Sequence, residues 1–443
     1  MFNRQSLIRL IIPLIIEQFL LMSVGMADTV MVTATGEAAV SGVSLVDNIN
    51  LLLIQIFTAL STGGTVIVSQ YLGRQDIHNA RTAAKQLLYT VTVVSTALMV
   101  LALVFREHIL SLIFGNIEPD VMDSALAYFL STALAYPFMA VYNAGAALFR
   151  AMGNSKVSMF NSLLVNIVNI SVNALLIYGF QMGALGAGIG TLVSRIVAAV
   201  VILVLLQRHN CLLRMEKLFR PEFQGGMVRR ILVVGIPNGL ENGLFQIGKL
   251  LVLSLITSFG TNAVAANAIA NSVASVINVP GQAIGLAMIT VVGQCIGAGR
   301  AKEAVSYTKK LMGATYLSMG VLCLILLLIA DPLVSLFNLE PASAAMAAEV
   351  LRWCAVFTML FWPLAFTLPN ALRAAGDAVF TMVVSMVSMF VFRIGLSYVL
   401  ANPTGLALGL LGVWLAMFID WIVRDVAFVI RFIQGKWMNI HVI

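Results

Sequence analysis

The chain has 443 residues, 60% hydrophobic and only 10% charged, with a formal net charge of +7. A mean hydropathy of +0.98 excludes an ordinary water-soluble fold, because most segments would have no dry place to pack. The basic excess lies in short segments between apolar runs, so it records membrane topology and no nucleic-acid partner is expected.

A helix that crosses the hydrocarbon core needs about 20 apolar residues. Twelve stretches qualify: 8–32, 42–69, 87–105, 124–148, 157–178, 184–206, 231–257, 263–295, 308–330, 346–371, 379–400 and 408–432. The first follows Arg9, is too long for a signal h-region and lacks a small-residue cleavage site, so it is expected to stay as a span. With the N-terminus inside, inner segments hold twenty of the 26 Lys and Arg residues, among them Arg4, Arg74, Arg81, Lys85, Arg229, Arg230 and Lys436. Outer segments hold only Arg106 and Arg352, which predicts cytoplasmic ends for both termini. Cys211, Cys295, Cys323 and Cys354 show no CxxC spacing, so neither a disulfide framework nor a metal cluster is expected.

The chain is internally duplicated. Ile12-Pro13-Leu14-Ile15-Ile16-Glu17 recurs as Ile236-Pro237-Asn238-Gly239-Leu240-Glu241, 224 residues later. The same offset carries Gly36 onto Gly260, Ala39-Val40 onto Ala263-Val264, Gln70 onto Gln294, Gly73 onto Gly297 and Ala80 onto Ala304. After small gaps, Arg150-Ala-Met-Gly-Asn matches Arg373-Ala-Ala-Gly-Asp, and Gly183-Ala-Leu-Gly186 matches Gly409-Leu-Leu-Gly412. Each copy holds six spans, an even number, so both enter the membrane from the same side as parallel repeats. The expected architecture is all-α and polytopic, with 12 transmembrane helices in two six-helix bundles. An N-lobe covers 1–206, a basic cytoplasmic linker 207–230 with a short surface helix at Leu212–Phe219, and a C-lobe 231–443. Two like bundles facing across a cleft can rock to open it to either side, so duplication favours transport.

A charge at the bilayer centre costs roughly 2.5–3.5 kcal/mol on insertion scales, so each one asks for a reason. The spans contain Glu17, Asp28, Asp47, Arg195, Glu241, Lys249, Arg393, Asp420, Arg424 and Asp425. Asp28 stands eleven residues after Glu17 on the first helix, about three turns plus 20°, so the two share a face roughly 16 Å apart. They could be successive stations for a proton or cation, although Glu17 could simply reach the inner headgroups. On the fifth helix Asn166, Asn169 and Asn173 form a polar stripe at i, i+3 and i+7, with Ser162 four residues earlier. Asparagine carbonyls are hard oxygen ligands suited to a small cation, and polar side chains also bond helices together.

Glu241 falls one turn after Pro237, whose missing N–H frees a carbonyl and bends the helix. There it could meet cationic substrates in the cleft or carry a second proton. Lys249 projects about 80° away and roughly 12 Å along, toward Asn267 or Asn271 on the eighth helix. Asp420 and Arg424 are spaced i,i+4 and read as a structural pair, while Arg195 and Arg393 need buried carboxylates or a lobe surface. The 22 methionines and the aromatics Phe357, Phe361, Trp362 and Phe366 read as adaptable wall or plain filler. Gly281 with Gly285, and Gly293 with Gly297, permit close helix packing. Gly186-x-Gly188-x-Gly190 lies inside a span with no strand before it and is no nucleotide loop.

These features resemble the multidrug and toxic compound extrusion (MATE) family. The resemblance covers essentially the whole chain. It rests on the proline-bearing first helix of each half, on Gln70-Tyr-Leu-Gly-Arg-Gln-Asp-Ile-His-Asn-Ala-Arg81 with its counterpart Gln294-Cys-Ile-Gly-Ala-Gly-Arg-Ala-Lys-Glu-Ala304, and on the signals at Arg150 and Arg373. It implies V-shaped lobes in a bacterial inner membrane. It also implies export of small, mostly cationic or amphipathic compounds by an antiporter driven by sodium ions or protons. No other cofactor is implied, and no metal beyond a Na+ at Asp28. The family's N-lobe cation site falls here on Asp28, Tyr136, Asn169, Asn173 and Thr191, and Asn166 extends the same stripe. Asn173 departs from the pattern, since many relatives carry a carboxylate there. A single chain holds both lobes, so a monomer is expected. A flippase for a lipid-linked or polysaccharide precursor, on the same fold, is the alternative. An intramembrane enzyme or receptor is disfavoured because the chain has no HExxH, GxSxG or P-loop and only four histidines.

Overall fold

In lipid each backbone N–H and C=O must be satisfied within its own segment, so long apolar runs of this kind fold as helices. The computed structural model describes residues 2–115, 118–215, 218, 222–401, 405–440 and 442–443. In the first repeat the helices are α1 Arg4–Thr33, α2 Glu37–Gly73, α3 Ile77–Phe114, α4 in two segments Pro119–Leu134 and Tyr136–Ala151 bent by 46°, α5 Ser155–Gly179 and α6 Gly183–Leu206. In the second they are α7 Gly225–Thr257, α8 Thr261–Gly297, α9 Ala301–Ser335, α10 Pro341–Leu360 continuing through Pro363–Thr367 to Pro369–Ala375, α11 Ala378–Ala401 and α12 Gly409–Gln434.

Among the described residues there is no strand. Ten of these helices are long and apolar enough to span alone, and the bent α4 makes an eleventh. The 26-residue α12 is about 39 Å long, but Asp420, Arg424 and Asp425 interrupt its apolar run. All twelve expected spans therefore lie on helices. The largest difference is α3, which continues well past its apolar run of 87–105 at both ends.

The duplication recurs in the helix bounds. α2 and α8 are both 37 residues long, and both begin and end 224 residues apart. Before each stands a glycine, Gly36 with φ +106° and Gly260 with φ +97°, a backbone conformation that a Cβ disfavours. Between α2 and α3, Asp76 caps α3 by accepting from the Asn79 N–H at 3.1 Å and its side-chain amide at 2.6 Å. These bonds hold the Asp76 carboxyl below its usual range. Arg300, at the matching position, makes no such cap.

The chain divides into two compact units, Met1–Gly239 and Leu240–Ile443. In the first, α1 packs on α5, α5 on α6, and α2 on α3 and both segments of α4. The early turns of α7 close on α2, where a Cβ added to Gly63 would fall 2.5 Å from the Ile231 carbonyl. The stretch before α7 is docked along α3. Arg81 donates to the Leu212 carbonyl at 3.0 Å, Tyr89 to the Leu218 carbonyl at 2.6 Å, and Gln86 to the Glu222 carbonyl at 2.5 Å. Of the surface helix expected at 212–219, Leu212 and Leu213 form a turn instead, and residues 216, 217 and 219 lie outside the described residues.

In the second unit α8 packs on α9 and α10, and α11 on α12. Gly281 and Gly285 let α8 approach α10 closely: a Cβ at the first would fall 2.2 Å from Trp362, and at the second 2.5 Å from Asn370. The core is aromatic, with Phe357 stacked on Phe418 at 4.4 Å and Trp421 edge-on to Phe418 at 5.4 Å.

One ionic tie recurs in corresponding places in the two units. Pro13 leaves the Arg9 carbonyl without its helical donor, and the Ser155 hydroxyl lies 3.4 Å from it and donates to the Leu10 carbonyl at 2.7 Å. One turn on, Glu17 accepts from Arg150 at 3.0 Å and from Ser158 at 2.6 Å, joining α1 to α4 and α5. In the second unit Glu241 accepts from Arg373 at 2.6 Å, joining α7 to α10. Removing one partner of a buried ion pair costs about 3–5 kcal/mol, because the other charge is left unmatched. Arg150→Met should therefore lower the melting temperature of the purified protein sharply. Glu17→Gln combined with Arg150→Met should recover much of that loss. A single variant as stable as wild type would show that this ion pair does not hold unit 1 together.

Candidate functional site

The polar groups of unit 1 gather on the inner faces of α1, α2, α4, α5 and α6. Asp28 and Glu17 both face α5, as their helical spacing predicts: Glu17 meets Ser158 and Asp28 meets Asn173. The Asn173 side-chain amide donates to Asp28 Oδ1 at 2.6 Å and lies 3.3 Å from Asn169 Oδ1. Asn169 and Asn173 are buried, and the Asn173 carbonyl oxygen has no hydrogen-bond partner. Gly190 on α6 makes room for it, since a Cβ there would fall 1.8 Å from that oxygen.

A second carboxylate lies nearby. Asp47 on α2 accepts from the Tyr128 hydroxyl at 2.9 Å and is 3.4 Å from the Asn50 amide. Asn50 in turn accepts from Tyr136 at 2.9 Å. Asp28 feels the charges of both Asp47 and Arg195. The Thr191 hydroxyl is buried without a hydrogen-bond partner, and the Arg195 guanidinium sits 5.8 Å from the Tyr142 ring. The polar groups thus form two hydrogen-bonded sets, Asp28 with Asn169 and Asn173, and Asp47 with Asn50, Tyr128 and Tyr136.

Of the six residues expected here, Asp28, Asn169 and Asn173 are directly bonded together. Tyr136 joins the Asp47 half through Asn50, and the buried Thr191 hydroxyl bonds to none of these residues. Asn166 departs from the expected cluster. Its amide donates to the backbone carbonyls of Leu20 and Ser162, both at 3.0 Å, so it fastens α5 to α1. Asp47 had no role assigned from sequence, and Asn50 and Tyr128 were missed because each is a single polar residue on a span, without the repeated spacing of the α5 stripe.

Among the described residues, no three His, Cys, Asp or Glu side chains gather as metal ligands. Oxygen donors suited to a monovalent cation are nevertheless present in Asp28, Asn169 and the unpartnered carbonyl of Asn173. In the arrangement described, the Asn173 N–H group occupies one Asp28 oxygen, so a cation there would compete with that donor.

The expected cleft residues of the second repeat are placed differently. Glu241 is bound to Arg373, with its second oxygen buried and unpartnered. Lys249 does not meet an α8 asparagine. Asn267 accepts instead from Trp414 at 3.1 Å and from Asn271 at 3.0 Å, while the Lys249 ammonium lies 5.2 Å from the Phe245 ring. The expected Asp420–Arg424 pair forms at 2.9 Å, and Arg393 joins Asp420 at 3.2 Å. Three wide helical turns flank these groups: Leu175–Gly179 just after Asn173, Pro363–Thr367 around Phe366, and Met389–Gly395 around Arg393. Such turns re-aim the side chains next to them and often accompany function.

The MatE family model matches the chain twice, at residues 13–175 and 237–399. The second match begins and ends 224 residues after the first, as the repeat does. The probable multidrug resistance protein NorM of Thermotoga maritima is 28% identical over 442 residues, covering 98% of this chain and 93% of that protein. The uncharacterized transporter YisQ of Bacillus subtilis is 25% identical over 98% of this chain and 95% of its own. Among solved structures, a MATE protein in complex with MaD3S superposes with a TM-score of 0.91 at 19% identity, covering 98% of this chain and 96% of that one. A MOP superfamily transporter from Pyrococcus furiosus, described as having a binding pocket of reverse polarity, gives 0.90 at 19% identity, covering 99% and 97%. The solved structures share the fold, and on its two family matches this chain belongs to the MatE family.

Proposed function

We propose that the chain is a secondary transporter of the bacterial inner membrane. It expels amphipathic, mostly cationic organic compounds in exchange for sodium ions or protons. The observation that carries this reading is the bond from Asn173 to Asp28, a carboxylate on α1 held by an amide on α5. The multidrug resistance proteins that the chain matches along most of their length support an organic cargo. The excess of basic residues in inner segments supports cytoplasmic termini, and two repeats in one chain support a monomer.

The coupling step follows from the chemistry of that bond. A proton or sodium ion arriving at Asp28 neutralises the carboxylate and removes its need for the Asn173 donor. The amide is then free to turn its unpartnered oxygen toward the cation, with Asn169 beside it. Losing a charge-assisted bond worth about 1.5–3 kcal/mol loosens α1 from α5. A cation that binds the loosened state better shifts the population toward it. Asp47, with Tyr128 and Asn50, keeps a second negative charge nearby and favours the cation's entry.

Transport of a lipid-linked precursor is the second reading, favoured by the three basic side chains that surround Phe245 in unit 2. Dye efflux from proteoliposomes under separate sodium and proton gradients tests both. Asp28→Asn should reduce gradient-driven efflux by at least about tenfold. Efflux that survives intact in that variant would remove Asp28 from coupling, and no efflux of any organic cation from the wild type would put the lipid-linked reading first. Gly190→Ala is a subtler probe, because its methyl group displaces the Asn173 oxygen. It should raise the cation concentration for half-maximal efflux by about tenfold, while Gly190→Ser should do no better. An unchanged cation requirement would mean that Asn173 does not act with Asp28.

A further inference from the structure

Three basic side chains in unit 2 surround a single ring. The Lys249 ammonium lies 5.2 Å from the Phe245 centroid, the Arg393 guanidinium 4.9 Å and the Arg424 guanidinium 5.5 Å. Buried Asp420 is shared by the two arginines. Asp425 feels the charge of Arg424, but both of its oxygens are buried without a hydrogen-bond partner. Lys249 therefore has no ion-pair partner among the described residues, and Arg393 acts on it as a like charge.

A lysine on a membrane helix ordinarily reaches for the nearer polar boundary. Lys249 stands eight residues before the end of α7 at Thr257, yet its ammonium lies over Phe245, one turn back along the helix. An ammonium held beside a guanidinium, with no carboxylate to match it, calls for an anion. Trp421 belongs to the same group of rings, and its buried indole N–H has no acceptor. Its ring lies 5.9 Å from Phe366, which lies 6.2 Å from Phe245 and stacks on Trp362 at 5.1 Å. Lys249 is exposed and Phe245 half-buried, while Arg393 and Trp421 are buried, so the site has an open side and a closed back.

We propose that unit 2 contains a binding site for aromatic carboxylates, in which the acid group sits between Lys249 and Arg393 and the ring lies on Phe245 and Phe366. The compounds that suit it are zwitterions and organic acids with a flat aromatic body. Phosphate or sulfate groups lacking an aromatic body would lose the ring contacts. The proposal rests on the transport reading only for its biological use, since binding can be measured without transport.

The test is binding to the full chain in nanodiscs, by fluorescence polarisation of a rhodamine with a free carboxylate and of its methyl ester. These differ only in the acid group. Wild type should bind the acid more tightly, and Lys249→Gln should weaken the acid by about tenfold while leaving the ester unchanged. Lys249→Arg should restore the preference, which guards against a merely misfolded Gln variant. Trp421→Phe, which keeps the ring and removes the donor, should weaken the acid a further few-fold relative to the ester. Equal binding of acid and ester by wild type, or equal losses of both in Lys249→Gln, would overturn the proposal. Retained discrimination without gradient-driven efflux of either dye would uphold the site and overturn the exporter reading instead.

Discussion

A carboxylate surrounded by helices and lipid has few ways to exist as an anion, and this protein uses two of them. Where the carboxylate meets an arginine, as Glu17 meets Arg150 and Glu241 meets Arg373, two helices are joined by a contact that is expensive to open. Where it meets a neutral amide, as Asp28 meets Asn173, the two helices are joined by a contact that carries no second charge. The division of labour in unit 1 follows from this difference. The guanidinium tie lies near the start of α1, about three turns from Asp28, so the helix is held to α4 and α5 by an ion pair and a hydroxyl at one level and to α5 by an amide at another.

The two repeats keep the anchor and change the rest. Helix bounds, positive-φ glycines and the Glu–Arg tie recur at nearly constant offset. The α5 amide stripe has no counterpart on α11, where Ser385, Ser388 and Arg393 stand instead. The capping Asp76 likewise gives way to Arg300. Duplication thus preserved the tie that holds a bundle together and changed the polar groups near it. One unit sets acids among amides, and the other sets three bases around an aromatic ring.

Most of the architecture was legible in the sequence, because lipid leaves the backbone so little freedom. Twelve apolar runs became helices, and the angle between Glu17 and Asp28 placed both on the face toward α5. The arginines opposite Glu17 and Glu241 were legible in principle, since both partners recur in both copies, although the partners are more than 130 residues apart. What no spacing carried was the content of single positions. Tyr128 and Asn50 act through helix packing rather than pattern, and Lys249 turned away from the asparagines that its helical angle suggested. The wide turns explain part of this. An extra residue in a turn rotates everything after it, and nothing in the composition of Leu175–Gly179 or Met389–Gly395 announces one.

The seam between the two compact units does not coincide with the seam between the two repeats. The second repeat starts with α7 at Gly225, whereas the compact units part at Gly239, fourteen residues into that helix and just beyond Pro237. The chain therefore passes from one compact unit to the other inside a helix and not along a loop. Pro237 removes one backbone donor from that helix a turn before Glu241, so the crossing point is also where its ladder of hydrogen bonds is thinnest.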